Sequence, residues 1–533
     1  MTTLMLYNGP IYTLDPEHPT ARAIALRDGR VLAVGSEGRV QAATGGRAEM
    51  INLQGRAVVP GLTDAHVHIT WQGLVSRQVR LGGIHSLELA LELIAAQDRA
   101  IDGDGWLRGW GWDHSDWGRW PHREDLDKIC PTRPVMLNRK DGHSIWVNSR
   151  TLELAGITAA TPDPVGGQIQ RDRDGEPTGI LLETAMELVR AIVPPPSEAE
   201  RSEGLRLALQ EALSYGITSV QAPPGTDPTS GRETMIDMQN LRARGQLNVR
   251  CLAHFSGADL DHAIALGLRS GVGDDWLRLG ALKLFADGSL GSESAEMLSH
   301  YEGRRHLGIA TLEQAVMEDL ILRAHAAGIA VIVHAIGDAA NRKVLNAIEQ
   351  AQAQEDAPPR SMPHRIEHCQ VLHPKDIARF AQLGVIASMQ PIHCTADMEV
   401  ADALWGSRSA YAYAWRSLLQ SGATLAFGSD APVETMNPWA GIHAAVTRQR
   451  PGGIPAGGWH PEQCLSVQEA LYAYCVGPAL AAGEGDRRGQ LKTGRLGDLA
   501  VLTGDPLRSD RNDLHAITAA MTIVGGEVMF ERK

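Results

Sequence analysis

Short apolar runs punctuate the chain at 57–69, 217–222, 249–255, 277–286, 330–336, 365–370, 384–390 and 424–429. Between several of them the apolar positions change to helical spacing, at 311–327, 338–352 and 373–383. Runs of that length with no clean polar alternation fit strands buried on both faces, as in a parallel sheet. Two of the helical stretches stop at Gly328 and Gly384, the residue type expected just past a last helical turn. Eight strands alternating with helices predict an α/β fold, a (β/α)8 TIM barrel.

Both ends of the chain break that rhythm. Residues 4–14 alternate, and Ala23–Val34 turns around Asp28-Gly29, a strong hairpin signal. Residues 493–502 and 519–530 are again strand-rich. The expected division is 1–56 plus 486–533 as a small β-domain and 57–485 as the barrel, with an insertion at about 100–195 after the first barrel strand. Val193-Pro-Pro-Pro-Ser197 closes that insertion. It opens on Trp106, Trp110, Trp112, Trp117 and Trp120. These indoles can be the core of the insertion or an aromatic wall over a substrate, with Trp112 the residue nominated for contact.

Composition narrows the function classes. A chain of 533 residues, 43% hydrophobic, can bury a core larger than one barrel needs. A net charge of -13 without a clustered basic tract argues against nucleic acid as a partner. No run reaches the roughly 18 apolar residues of a membrane span, and the first ten residues lack a basic leader followed by an apolar stretch. Cytoplasmic location and no membrane partner are the resulting expectations. The six Cys, at 130, 251, 369, 394, 464 and 475, show no zinc-finger or redox spacing and are read as reduced thiols.

Candidate chemistry gathers at the ends of the predicted strands. His66 and His68 sit two apart at the end of the first run, where side chains on a strand share a face. His334 follows Val331-Ile-Val, His368 closes His364-Arg-Ile-Glu-His, and Asp430 closes Leu425-Ala-Phe-Gly-Ser-Asp. One His-x-His pair among 20 His is weak evidence, and each residue alone is better read as a satisfied polar group. Together, at the carboxyl ends of barrel strands, they describe one metal site. Lys283 interrupts the apolar strand 277–286. An ordinary ammonium paired with a neighbour such as Asp287 is the bland alternative.

Leu282-Lys-Leu-Phe-Ala-Asp-Gly-Ser-Leu-Gly-Ser292 and Val333-His-Ala-Ile-Gly-Asp338 resemble the family-3 branch of the amidohydrolase superfamily, and the likeness spans essentially the whole chain. That branch includes N-substituted formamide deformylases. The resemblance implies that the two chain ends form a small β-sandwich and that His66, His68 and Asp430 hold one metal. It further implies that His334 and His368 hold a second, with a carbamylated Lys283 between them. Two zinc ions per chain are expected, with manganese, cobalt or iron as alternatives. Asp430 is then the general acid/base for attack of metal-activated water on a small-molecule amide. His143 resembles a residue that approaches the metals in this branch and is a substrate contact, as is Asp287 through a substrate amine. His254 and His393 can line the pocket or merely pack. The expected activity is hydrolysis of non-peptide C–N bonds, most plausibly linear amides of the N-substituted formamide or N-acyl amine type. A deaminase or cyclic-amide hydrolase is the alternative within enzymes, and a catalytically silent metal-binding protein the one outside them. Base rates suggest a homodimer.

Overall fold

The computed structural model describes residues 3–101, 105–139, 144–164, 166–225, 229–354 and 356–532. Eight parallel strands follow one another around a barrel: β1 (Leu62–Asp64), β2 (Ile217–Ala222), β3 (Arg250–Ser256), β4 (Leu277–Phe285), β5 (Val331–Ala335), β6 (Arg365–His368), β7 (Ile386–Met389) and β8 (Leu425–Phe427). Each pairs with its sequence neighbour. The Ala65 amide donates to Phe427 O at 3.1 Å, which brings the first strand back to the last. β2 is buried along its whole length and β5 is buried except at His334, as strands covered on both faces must be.

Helices cover the outside. Helix Asp338–Gln352 turns Val344, Leu345, Ile348 and Ala351 inward at the spacing that makes one apolar stripe. Helix Gln314–Ala326 is followed by Gly328 at φ 72°, a left-handed conformation in which a side chain would be strained.

The run at 57–69 is not one strand. Val58–Pro60 pairs with Leu499–Leu502, in an eight-stranded sheet built from both chain ends, and only Leu62–Asp64 enters the barrel. Gly61 separates them at a point where a Cβ would lie 2.1 Å from Thr218 Oγ1, so the chain can cross there only without a side chain. In the terminal sheet Thr20–Arg27 and Arg30–Gly35 form the expected hairpin. Asp28 and Gly29 both have positive φ, as the favoured two-residue turn requires.

Gly73–Gly204 forms a compact unit of its own, inserted after β1. It runs beyond 100–195 at both ends; the earlier start follows from Val79–Arg80, which joins its six-stranded sheet, and from helix Leu87–Ala100, which packs Leu87, Ala90 and Ile94 into its core. Among the described residues no helix is long and apolar enough to cross a membrane.

Candidate metal centre

His66 and His68 lie just past β1, in the turn that leads into helix Ile69–Ser76, and not on the strand. What makes them converge is the seam between β1 and β8. The Asp430 amide donates to His66 O at 2.7 Å and the His68 amide to Ala431 O at 3.0 Å. Asp64 reinforces the seam, accepting from the amides of His66 at 3.1 Å and Ser429 at 3.0 Å. Asp430 Oδ1 consequently stands 3.5 Å from His66 Nε2 and 3.2 Å from His68 Nε2. The ligand atoms of these three residues all fall within 4.8 Å of one another.

The remaining candidates surround the same centre from β4, β5 and β6. The His368 ring centroid is 5.1 Å from that of His66 and 4.4 Å from that of His334. Lys283 is buried, its Nζ 4.7 Å from the centre of the Phe285 ring. His368 and Asp430 both adopt positive φ, 73° and 60°. Non-glycine residues in that region cost about 1–3 kcal/mol each and cluster where surrounding structure holds a functional group in place.

Burial sets the protonation of the group. It pushes His66, His368 and His334 below the usual imidazole value, His334 to about 3, and nearby Lys283 adds to the effect on His66 and His334. It also lowers Lys283 itself to about 8. Burial alone would raise Asp430, but the hydrogen bond from His68 and the neighbouring His66 and His368 hold its carboxyl well below the usual range. Neutral imidazoles facing an ionised carboxylate are the donor states a divalent metal requires.

These residues fit such an ion. His66 Nδ1 donates to Glu367 Oε2 at 2.5 Å, which leaves the Nε2 lone pair facing the cluster. His334 Nε2 donates to Gly288 O at 3.0 Å, which frees Nδ1. The buried Nδ1 of His368 has no hydrogen-bond partner among the described residues.

Glu367 escaped the sequence reading. It is fully buried, and Arg365 clamps it, with Nε to Oε1 at 2.9 Å and Nη2 to Oε2 at 3.1 Å. Burial would raise its pKa, yet Arg365 and His66 hold it well below the carboxylate range. The signal was available in Arg365-Ile-Glu367, since residues two apart in a strand share a face.

Other candidates have different places. Asp287 is no open partner for a substrate amine: its oxygens accept from the amides of Glu296 at 2.9 Å, Ile336 at 3.0 Å and Gly337 at 2.8 Å, pinning the turn after His334. Trp112 is fully enclosed, with its indole N–H bonded to Leu137 O at 2.8 Å and Trp117, Trp120 and Trp146 around it. A side chain with no free face cannot touch substrate, so Trp112 builds the core of the insertion. His143 lies outside the described residues. His254 accepts from the Ala281 amide at 2.8 Å, and His393 Nε2 stands 3.6 Å from Asp430 Oδ2.

Histidines and a carboxylate converge at the carboxyl ends of the barrel strands, where such folds gather their catalytic groups. The chain belongs to the amidohydrolase family, whose model matches residues 49–530, and it is a hydrolase acting on carbon–nitrogen bonds. It is 35% identical to the protein LONG AFTER FAR-RED 3 of Arabidopsis thaliana, over 99% of this chain and 91% of the relative. It is 29% identical to an N-substituted formamide deformylase of Arthrobacter pascens, over 100% of this chain and 99% of that protein. Among solved structures it resembles an uncharacterized metal-dependent hydrolase from Pyrococcus furiosus, with TM-score 0.78 and 29% identity, over 95% of this chain and 100% of that one.

Proposed function

We propose that this chain is a metal-dependent hydrolase of linear, non-peptide amides of the N-substituted formamide or N-acyl amine kind. Two divalent ions, zinc by preference, are held per chain, one by His66, His68 and Asp430 and the other by His334 and His368, with carbamylated Lys283 between them. The observation that carries this reading is the convergence of His66, His68 and Asp430 within 4.8 Å, with the His368 ring tilted 5.1 Å from His66 and the His334 ring edge-on to it at 4.4 Å. Similarity to the formamide deformylase over the full length supports the choice of linear amides.

What bound metal supplies is Lewis-acid polarisation of the amide carbonyl and a water acidic enough to ionise near neutral pH. Asp430 supplies the proton path. Its carboxylate takes the proton of the attacking water and returns it to the amide nitrogen as the C–N bond breaks, releasing a carboxylic acid and an amine. Lys283, held near 8 by burial, keeps a neutral fraction at neutral pH. Its amine nitrogen can therefore bond to the carbon of CO2 and lose a proton, giving an anion with two oxygen donors where an ammonium would repel the ions.

The test is amine release from a panel of N-substituted formamides, N-acyl amines, cyclic imides and ring amines, with metal content measured on the same samples. Linear amides should be cleaved at two metals per chain, and Asp430→Asn should lower kcat about 10²–10⁴-fold. Ammonia from ring amines at one metal per chain would make the protein a deaminase. Full metal occupancy with no turnover would make it a silent binding protein.

A further inference from the structure

We propose that the amide substrate carries a bulky, uncharged acyl group, and that this group occupies a cavity at the carboxyl ends of β2–β5. The inference rests on the amide-hydrolase reading above and chooses between its two substrate kinds, in favour of N-acyl amines.

The cavity measures about 670 Å³, and Lys283 and His334 of the candidate metal centre are among the residues that line it. Leu284, Phe285, Leu312 and Leu320 form much of the rest. Its volume lies within the roughly 300–1,000 Å³ of small-molecule sites. In the barrel ring, β4 lies four strands from β8, the strand that leads to Asp430. The apolar cavity therefore faces Asp430 across the mouth.

A trigonal amide carbon bears an oxygen, a nitrogen and the acyl substituent. If the nitrogen is to receive its proton from Asp430, it points towards β8, and the acyl substituent projects away from it, towards β4 and the cavity. A formamide has only a hydrogen in that direction and would leave the apolar wall wet. A branched or aromatic acyl group would cover it.

The same wall disfavours a charged acyl group. Among the described lining residues Lys283 is the one cation, and the centre uses it. The carboxylate of Asp287 is taken by three backbone amides. The hydroxyls at the rim bond to one another, Ser289 to Ser292 at 2.8 Å and Ser292 to Ser294 at 2.5 Å, while Thr311 donates to Phe285 O at 2.9 Å. Among the described lining residues an acyl chain ending in a carboxylate would find no second cation, and drawing a charge against the apolar wall costs more than covering it with an uncharged chain.

The experiment compares formyl, acetyl, hexanoyl, phenylacetyl and succinyl amides of one amine, para-nitroaniline, on metal-loaded protein. Ala258, an exposed residue of the cavity wall, is replaced in a second protein, Ala258→Trp, to fill the space. In the unaltered protein kcat/KM should rise about tenfold or more from formyl to phenylacetyl, and the succinyl amide should fall below hexanoyl. The ratio of phenylacetyl to formyl kcat/KM should drop about tenfold in Ala258→Trp. Benzyl alcohol should bind the metal-free protein in saturation-transfer NMR and bind more weakly to the filled variant. A formyl amide cleaved faster than every larger acyl amide would overturn the inference and leave the amide-hydrolase reading standing. Cleavage of none of the five at full metal occupancy would overturn that reading itself. The acyl series on the unaltered protein decides even if Ala258→Trp does not fold.

Discussion

His66 and Glu367, 301 positions apart in the chain, meet inside the barrel through a 2.5 Å hydrogen bond with both side chains buried. A carboxylate can only accept, so it fixes the proton on Nδ1 and turns the other nitrogen towards the cluster. Glu367→Gln keeps the shape but weakens that control and leaves Arg365 without its counter-charge. Metal affinity should fall about 10–100-fold, read by calorimetric titration of metal-free protein. Stability should fall by about 3–5 kcal/mol, because one partner of a buried pair is lost. Unchanged affinity would remove Glu367 from the support of the centre.

The β1–β8 seam makes a second, steric prediction. A Cβ on Gly428 would lie 2.4 Å from the His66 amide nitrogen and 2.8 Å from Asp64 Oδ1, both held by the hydrogen bonds that join the strands. Gly428→Ala must therefore move His66, at a cost of about 1–3 kcal/mol, and metal content after dialysis should drop with it. Gly38, in helix Glu37–Thr44, has nothing within 4 Å of its Cβ position. Gly38→Ala should leave both quantities unchanged or raise stability slightly. Equal behaviour of the two variants would show that the seam is not tight.

The barrel was legible because parallel strands are covered on both faces and so read as apolar runs, with histidines breaking those runs where the barrel opens. Glu367 and Arg365 were missed, although their spacing puts them on one face of the strand. Charges inside a strand read as solvent-facing until barrel closure places Gln221 and Ser388 opposite them, as Arg365 shows by bonding to both. The division of the first run at Gly61 depends on Thr218, and the role of Asp287 on amides at 296, 336 and 337. Thr218 and the amides of Ile336 and Gly337 are remote in sequence from the residues they act on, so no local pattern carries those contacts. Trp112 failed for the opposite reason. A dense Trp segment looks the same whether it forms a wall or a core, and only its full enclosure decides.

That enclosure has a measurable consequence. Trp112→Ala removes the indole around which Trp117, Trp120 and Trp146 pack, together with the bond to Leu137 O. A cost of about 3–5 kcal/mol is expected. Limited proteolysis should then cut within 73–204 at temperatures where the unaltered protein resists. Resistance equal to that of the unaltered protein would mean that Trp112 is not a keystone of the inserted unit.

The last prediction concerns acid. At the amino end of β5 the Val331 amide donates to His364 Nδ1 at 3.1 Å, so the proton of His364 sits on Nε2 and is donated to His325 Nδ1 at 3.1 Å. Arg360 lies against the same imidazole, Nη1 at 2.5 Å from Nδ1 and 3.2 Å from Nε2. Burial and then the Arg360 charge lower His325 from 6.5 to about 4. Above pH 6.5 neither the folded nor the unfolded chain holds this proton, and stability does not depend on it. Between 6.5 and 4 the unfolded chain binds a proton that the folded chain refuses, so stability falls as pH falls, and below 4 the loss levels off. His325→Gln cannot titrate but can still accept from His364. Its melting temperature should therefore decline less than that of the unaltered protein from pH 6.5 to 4, with the two curves parallel above 7. The buried histidines of the metal centre also favour neutrality and are common to both proteins, and His364, lowered by burial first, then by Arg360 and last by His325, favours neutrality in either. Parallel curves across the whole range would show that His325 takes up its proton in the folded state as readily as in the unfolded one.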